Sequence, residues 1–293
     1  MAIQRNQNCP SEADCHCRYF TNYHPFTLLL DPSVSPDTYF DRSKLLFWVI
    51  IYIASRRFSD DPTLFTALTT PLKALLWQSI SNPPHNWYLV QSVSLFCLWP
   101  PPTLSLSEDT TPVLVNIAQT MAMELGLHRP ESIQDFSRTK RKLTPDEITE
   151  VVRTWSVCYI ASQRLASNPP PPEQSQNGGL TRSSISIYSN SVMSIPTSDW
   201  IIDAICDKQS SYAVPLALKQ QLLIYRFSVR VDIYMSKNAP LPSATPMPDT
   251  IPILGLLEQD LKELSRSFGA DISGIISQPL GSAGHFSSNP FTI

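Results

Sequence analysis

A histidine and an arginine stand side by side at positions 128 and 129, in the stretch MAMELGLHRP. An imidazole beside a guanidinium is a pair that can hold an anionic metabolite. The same two cations just past a helix end offset the negative pole of the helix dipole, for roughly 0.3–1 kcal/mol each. The neighbours favour the second reading. Gly126 sits where a C′ glycine belongs, free to take a positive φ. Pro130 biases Arg129 away from helical geometry.

The other reactive side chains form no catalytic set. Cys9, Cys15, His16, Cys17 and His24 crowd the start of the chain. They contain no C-x₂-C pair and no second half-site follows, so they read as a loose leader rather than a metal site. Cys97, Cys158 and Cys206 stand singly among apolar residues and read as core thiols. The remaining histidines, His85 and His285, are too dispersed for a zincin motif. No G-x-S-x-G elbow and no phosphate-binding glycine loop is present. Asp60-Asp61 and Asp146-Glu147 open helices, where the dipole explains them better than acid–base catalysis does. No catalytic, cofactor-binding or metal residue is assigned, and the chain is not expected to be an enzyme. The dense basic patch RTKRK, with Arg138, Lys140, Arg141 and Lys142, is a candidate nuclear-import signal. Its plainer reading is a solvated connector between two helices.

The elements that must carry these residues announce themselves as helices. Leu45 to Ala54 is a continuous apolar run, about half of the roughly 20 residues a membrane span needs. Bracketed by Lys44 and Arg56-Arg57, it reads as a buried helix. Asp61-Pro62 is an N-cap and N1 pair, and Pro71 either kinks the helix that follows or starts another. NWYLVQSVSLFCLW is stopped by Pro100-Pro101-Pro102. After Thr111-Pro112 the apolar residues Leu114, Ile117, Ala118, Met121, Ala122 and Leu125 share one face. Thr144-Pro145-Asp146-Glu147 is a capping box. Behind it run Ile148, Val151, Val152, Trp155, Cys158, Tyr159 and Leu165, interrupted by Ser162. Further helices are expected from 197 or 198, over about 215–236 along Leu216, Leu223, Phe227, Val231 and Tyr234, and over 252–268. No period-2 alternation competes, so the fold class is all-α.

Three other stretches lack this periodicity. Residues 1–19 are expected to be a disordered leader. Residues 168–196, rich in proline and polar residues, are expected to be a mobile loop within a helical domain spanning 20–277. Residues 278–293 are expected to be a disordered tail, with the helical domain cut short. The composition narrows function further. A formal charge of −3, from 22 basic and 25 acidic residues, does not suit a phosphate backbone. No membrane span and no signal peptide is expected. The tryptophans at 48, 77, 87, 99 and 155 lie at helical spacings that favour core over pocket.

Several of these segments together resemble a known family. NIAQTMAMELGLHRP (116–130) resembles the segment ending in G-L-H-R in the fungal-specific transcription factor domain, the middle homology region of fungal zinc-cluster transcription factors. VQSVSLFCLWPPP (90–102) resembles the helix and Trp-Pro stop before it. VVRTWSVCYIASQRLAS (151–167) resembles its R-x-W helix, and residues 23–58 resemble its opening. The family-motif positions are therefore Trp99, Leu125, Gly126, Leu127, His128, Arg129, Arg153 and Trp155. The resemblance implies an all-α regulatory domain that senses inducers or partners and acts in the nucleus. It implies zinc only in an N-terminal cluster with two C-x₂-C-x₆-C halves, which Cys9, Cys15 and Cys17 do not match. The implied partners are other transcription-factor chains or co-regulators and a small-molecule inducer, with no direct nucleic-acid binding from this chain. The competing expectation is a helical small-molecule-binding protein or enzyme of specialised metabolism. A pocket with converging polar groups would favour it.

Overall fold

The computed structural model describes residues 11–58, 61–103, 105–137, 142–166, 200–207, 209–237 and 250–268. All regular structure among these residues is helical. The helices are α1 (Ser11–Asn22), α2 (Pro36–Arg42), α3 (Lys44–Ser55), α4 (Leu64–Ser81), α5 (Trp87–Leu98), α6 (Thr111–Glu124), α7 (Pro145–Ala166), α8 (Trp200–Cys206), α9 (Leu216–Lys237) and α10 (Thr250–Ser267). Three short 3₁₀ segments join them at His24–Phe26, Leu106–Glu108 and Pro130–Phe136.

The core is organised around two helices buried on all sides, the second with Gln91, Ser92 and Ser94 among its buried residues. In α3 every residue from Leu45 to Ser55 is buried, and in α5 every residue from Leu89 to Leu98 is buried. A helix hydrophobic all round needs neighbours on every face. α3 packs on α1, α2, α4 and α5; α5 packs in turn on α6 and α7. Beyond α7 the chain thins: α9 packs on α7, while α8 and α10 pack on α9.

Local chemistry starts and stops these helices. Ser35 and Ser43 accept from the backbone amides of Thr38 and Leu46, opening α2 and α3. Asn86 does the same for Leu89 in α5. The capping box of α7 forms as expected. The Thr144 amide donates to Glu147 Oε2 at 2.8 Å, and the Glu147 amide donates to Thr144 Oγ1 at 3.3 Å. The polar gap at Ser162 is closed by its hydroxyl donating to the Tyr159 carbonyl at 2.7 Å.

Several expectations change. Residues 11–19 are not a disordered leader but most of α1. Cys15, His16 and Tyr19 are buried: α1 packs on α3, and His16 and Phe20, four residues apart, both meet the Tyr39 ring of α2. Of the two readings of Pro71 the second falls: it starts no new helix, and α4 runs through it. Asp61 caps no helix directly. Its carboxylate takes the Thr63 amide and hydroxyl, and α4 begins at Leu64. The buried stripe of α9 is Leu218 and Leu222, whereas Leu216 is exposed. Apolar residues crowd α9 on several faces, and packing on α7 selects one of them. Residues 1–10, the 168–196 loop, the 278–293 tail and Arg138, Lys140 and Arg141 lie outside the described residues. Lys142 is exposed. No helix among the described residues is long and apolar enough to cross a membrane. Nor do any three His, Cys, Asp or Glu among them cluster as a metal site would.

Candidate functional site

The G-L-H-R segment builds a closed joint. α6 ends in a Schellman motif, with the Leu127 amide donating to Ala122 O at 2.9 Å and the Gly126 amide to Met123 O at 3.0 Å. Gly126 takes φ +75°. A Cβ there would stand 2.6 Å from Phe136 Cδ2, so both backbone and neighbour demand glycine. Leu127 is fully buried and Leu125 half-buried. The His128 ring meets Phe136 edge-on at 5.1 Å and lies 5.8 Å from the Trp155 ring. The family's two motifs therefore touch through His128 and Trp155. Burial, with Arg129 adding to it, holds the His128 pKa below its usual value. Its shielded Nδ1 has no hydrogen-bond partner. Arg129 itself is exposed. Arg153, two residues before Trp155, acts electrostatically on His24 and Asp31 instead. The helix stops at Gly126 as expected, but His128, kept from its charged form by burial, is not a cation set against the helix dipole.

A different helix end forms a cleft. Pro100 cannot continue α5, so the last carbonyls of that helix need donors from elsewhere. Arg164 of α7 donates from Nη1 to Leu98 O at 3.0 Å. Arg56, just past α3, donates from Nη2 to Trp99 O at 2.6 Å and also to Pro100 O. The Arg56 guanidinium lies 5.6 Å from the Tyr52 ring centre and 5.1 Å from that of Phe65. Trp99 is buried and meets Tyr23 edge-on at 5.8 Å. Burial lowers the Arg164 pKa; Tyr225 opposes that shift and Arg56 adds to it.

Beside this joint opens a cleft of about 620 Å³. Its walls include Arg18, Arg56, Arg57 and Arg164, with Asp109 as the one carboxylate among the described residues. Tyr23, Phe26 and Trp99 supply aromatic surface, and Pro100, Pro101 and Pro102 form a stiff strip. Asp109 is engaged locally, accepting from the Thr111 amide at 2.9 Å. Among the described residues no histidine, cysteine or serine lines the cleft. Of the expected motif residues only Trp99 reaches it. Trp48, Trp87 and Trp155 are core, and Trp77 is 40% exposed. The four arginines were not singled out from the sequence as a group. Only the position of Arg56-Arg57, directly after an apolar run, hinted at them.

An all-helical domain with a metabolite-sized cleft is the class that fold and geometry define. Residues 17–167, just over half of the chain, match the model of the fungal specific transcription factor domain, and the chain belongs to that family. It is similar to the regulatory protein LEU3 of Saccharomyces cerevisiae, with 27% identity over 87% of this chain and 28% of that protein. It is also similar to the transcriptional regulatory protein SEF1 of Candida albicans, with 28% identity over 53% of this chain and 17% of that protein. The chain thus spans less than a third of the curated relatives it matches. No solved structure matches it. Both of these relatives are transcription regulators by name.

Proposed function

We propose that this chain is an effector-responsive control domain. It governs transcription by changing its contacts with other transcription-factor chains or co-regulators when a small molecule occupies the cleft beside α5. The observation that carries this reading is the placement of the cleft. It lies within the family-matched region, where α1, the end of α3, the end of α5 and α7 contribute its walls. A ligand there contacts several helices at once and can favour one packing of them over another. Transcription control places its action in the nucleus, with residues 138–142 as the candidate import signal. The cleft favours binding over catalysis, since among the described residues its one carboxylate serves Thr111 and no nucleophile–base pair lines it.

The test is a fusion of residues 1–293 to an unrelated DNA-binding module, read on a reporter gene. Output that differs from the module alone, and that moves with the nutrient supply, is expected. Output identical to the module alone under every supply would overturn the proposal. A companion gel-shift with purified 1–293 is expected to show no sequence-specific complex; a tight, salt-resistant one would contradict the absence of DNA binding.

A further inference from the structure

We propose that Glu150 is a proton-binding site that clasps α7 to α5: on taking up a proton, its carboxyl closes a two-bond pair with the side-chain amide of Gln91. The site shares no residue with the cleft and stands independently of it.

Hydrogen bonding makes the first part of the case. Gln91, in the middle of α5, is fully buried. Its Nε2 donates to Glu150 Oε1 at 3.2 Å and to Thr154 Oγ1 at 3.0 Å, both on α7. Thr154 is fully buried too, and it spends its own hydroxyl proton on the Glu150 backbone carbonyl at 2.7 Å. It can therefore only accept from Gln91, and an ionised carboxylate likewise only accepts. The two partners fix the amide with its nitrogen towards α7. The amide oxygen is left over: Gln91 Oε1 is shielded from water and has no hydrogen-bond partner. A buried acceptor left unpaired is costly. A carboxylic acid and a primary amide match edge to edge. The amide N–H donates to one carboxyl oxygen, and the protonated second oxygen donates to the amide carbonyl. The first of these bonds already joins Gln91 to Glu150. The second needs a proton on Glu150 Oε2 and a turn of its side chain. That proton comes from solvent, which reaches the part-buried Glu150. It pairs the unmet Gln91 oxygen and removes a charge from a poorly hydrated place in one step.

The surroundings make the second part. Burial, the largest influence, holds the Glu150 pKa above the usual carboxylate value, and Glu147, one turn earlier on α7, adds to that. The Gln91 hydrogen bond, Arg42 of α2 and Trp87 of α5 oppose it. Tyr39 of α2 and Tyr88 of α5 also feel this carboxyl, and burial raises both of their pKa values. Asp31 and Arg153 act on each other rather than on Glu150. Among the described residues no group of α6, of Pro130–Phe136 or of α9, the other neighbours of α7, acts on it. The folded pKa thus lies above the unfolded one. The stability the clasp supplies is complete below the unfolded value of 4.5 and is lost as the pH rises through the folded value.

The experiment has two readouts on the purified 293-residue chain. The first is an NMR pH titration of carbon-13-labelled glutamate carboxyls, in which the resonance missing from Glu150→Gln is that of Glu150. It is expected to titrate at a higher pH than the main group of glutamates. Titration with that group, or below it, would overturn the proposal. The second is the melting temperature of the parent and of Glu150→Gln from pH 5 to pH 7.5. Two primary amides close the same two-bond pair without a proton, so the variant carries the clasp at every pH. It is expected to melt about 2–4 °C above the parent at pH 7.5, with the gap narrowing towards pH 5. The histidines are common to both proteins and cancel in the difference. A variant that melts no higher than the parent at pH 7.5, or a gap that ignores pH, would contradict the clasp. In a Gln91→Met background, which keeps the bulk and removes the amide, the gain from Glu150→Gln is expected to fall by at least half. An undiminished gain there would overturn the pairing with Gln91.

Discussion

α6 and α5 end in opposite ways. α6 stops by its own backbone, through Gly126 at φ +75° and two amides turned back onto Ala122 and Met123. His128 then reaches Trp155, and Leu127 is fully buried. α5 stops at a proline run and is finished by Arg56 and Arg164 from two other helices. The first end is sealed and apolar. The second is bridged by cations and leaves a cleft beside them. A helix end that satisfies itself is suited to be scaffold. One that borrows its donors from distant helices couples those helices to whatever occupies the gap.

Variants can break this contrast in order of size. Trp155→Ala empties the place where the two motifs meet and is expected to destabilise the fold by about 3–5 kcal/mol, read as the shift of a urea unfolding curve. A loss below 1 kcal/mol would mean that the α6 end is not a structural joint. Arg56→Gln takes the charged donor from the Trp99 and Pro100 carbonyls, for about 1.5–3 kcal/mol, by the same measurement. Gly126→Ala forces a side chain into the left-handed region and against Phe136, for about 1–2 kcal/mol. Gly126→Asn, which tolerates that region better, should lose less. Equal losses would shift the cause from the backbone to the contact with Phe136.

The pH dependence is smaller. Burial, the leading cause in each case, holds the pKa values of His16, His24 and His128 below the usual 6.5. Above pH 6.5 both folded and unfolded states leave them neutral, so they give no slope. As the pH falls below 6.5 the unfolded chain takes up protons first, and stability is lost. The melting temperature should therefore hold level above pH 6.5 and decline below it. A His128→Gln variant should decline less steeply. Burial raises the pKa of the Glu150 carboxyl and works the other way on acidification, so the decisive result is the difference: a His128→Gln variant that declines as steeply as the parent would contradict the burial of that ring.

The two ends also differ in how far they could be read from the sequence. The α6 stop is local: Gly126 follows an apolar stripe and precedes Leu-His-Arg-Pro, and every hydrogen bond that closes it spans five residues or fewer. The capping box at Thr144 was legible for the same reason. The cleft was not, because Arg18, Arg56 and Arg164 are separated by dozens of residues and nothing local says that they meet. α1 was missed because its apolar residues are few and a buried His16 does not register as core. Leu216 was misplaced because several apolar faces of α9 compete and only packing on α7 decides.

The most direct test puts Arg57→Gln into the reporter fusion. Surface changes away from a structural joint usually move stability by no more than about 0.5 kcal/mol, so the variant should accumulate and melt like the parent. Its reporter output is expected to lose the response to nutrient supply. If Arg57→Gln keeps the full response of the parent at equal protein level, the cleft beside α5 is not where this domain is controlled.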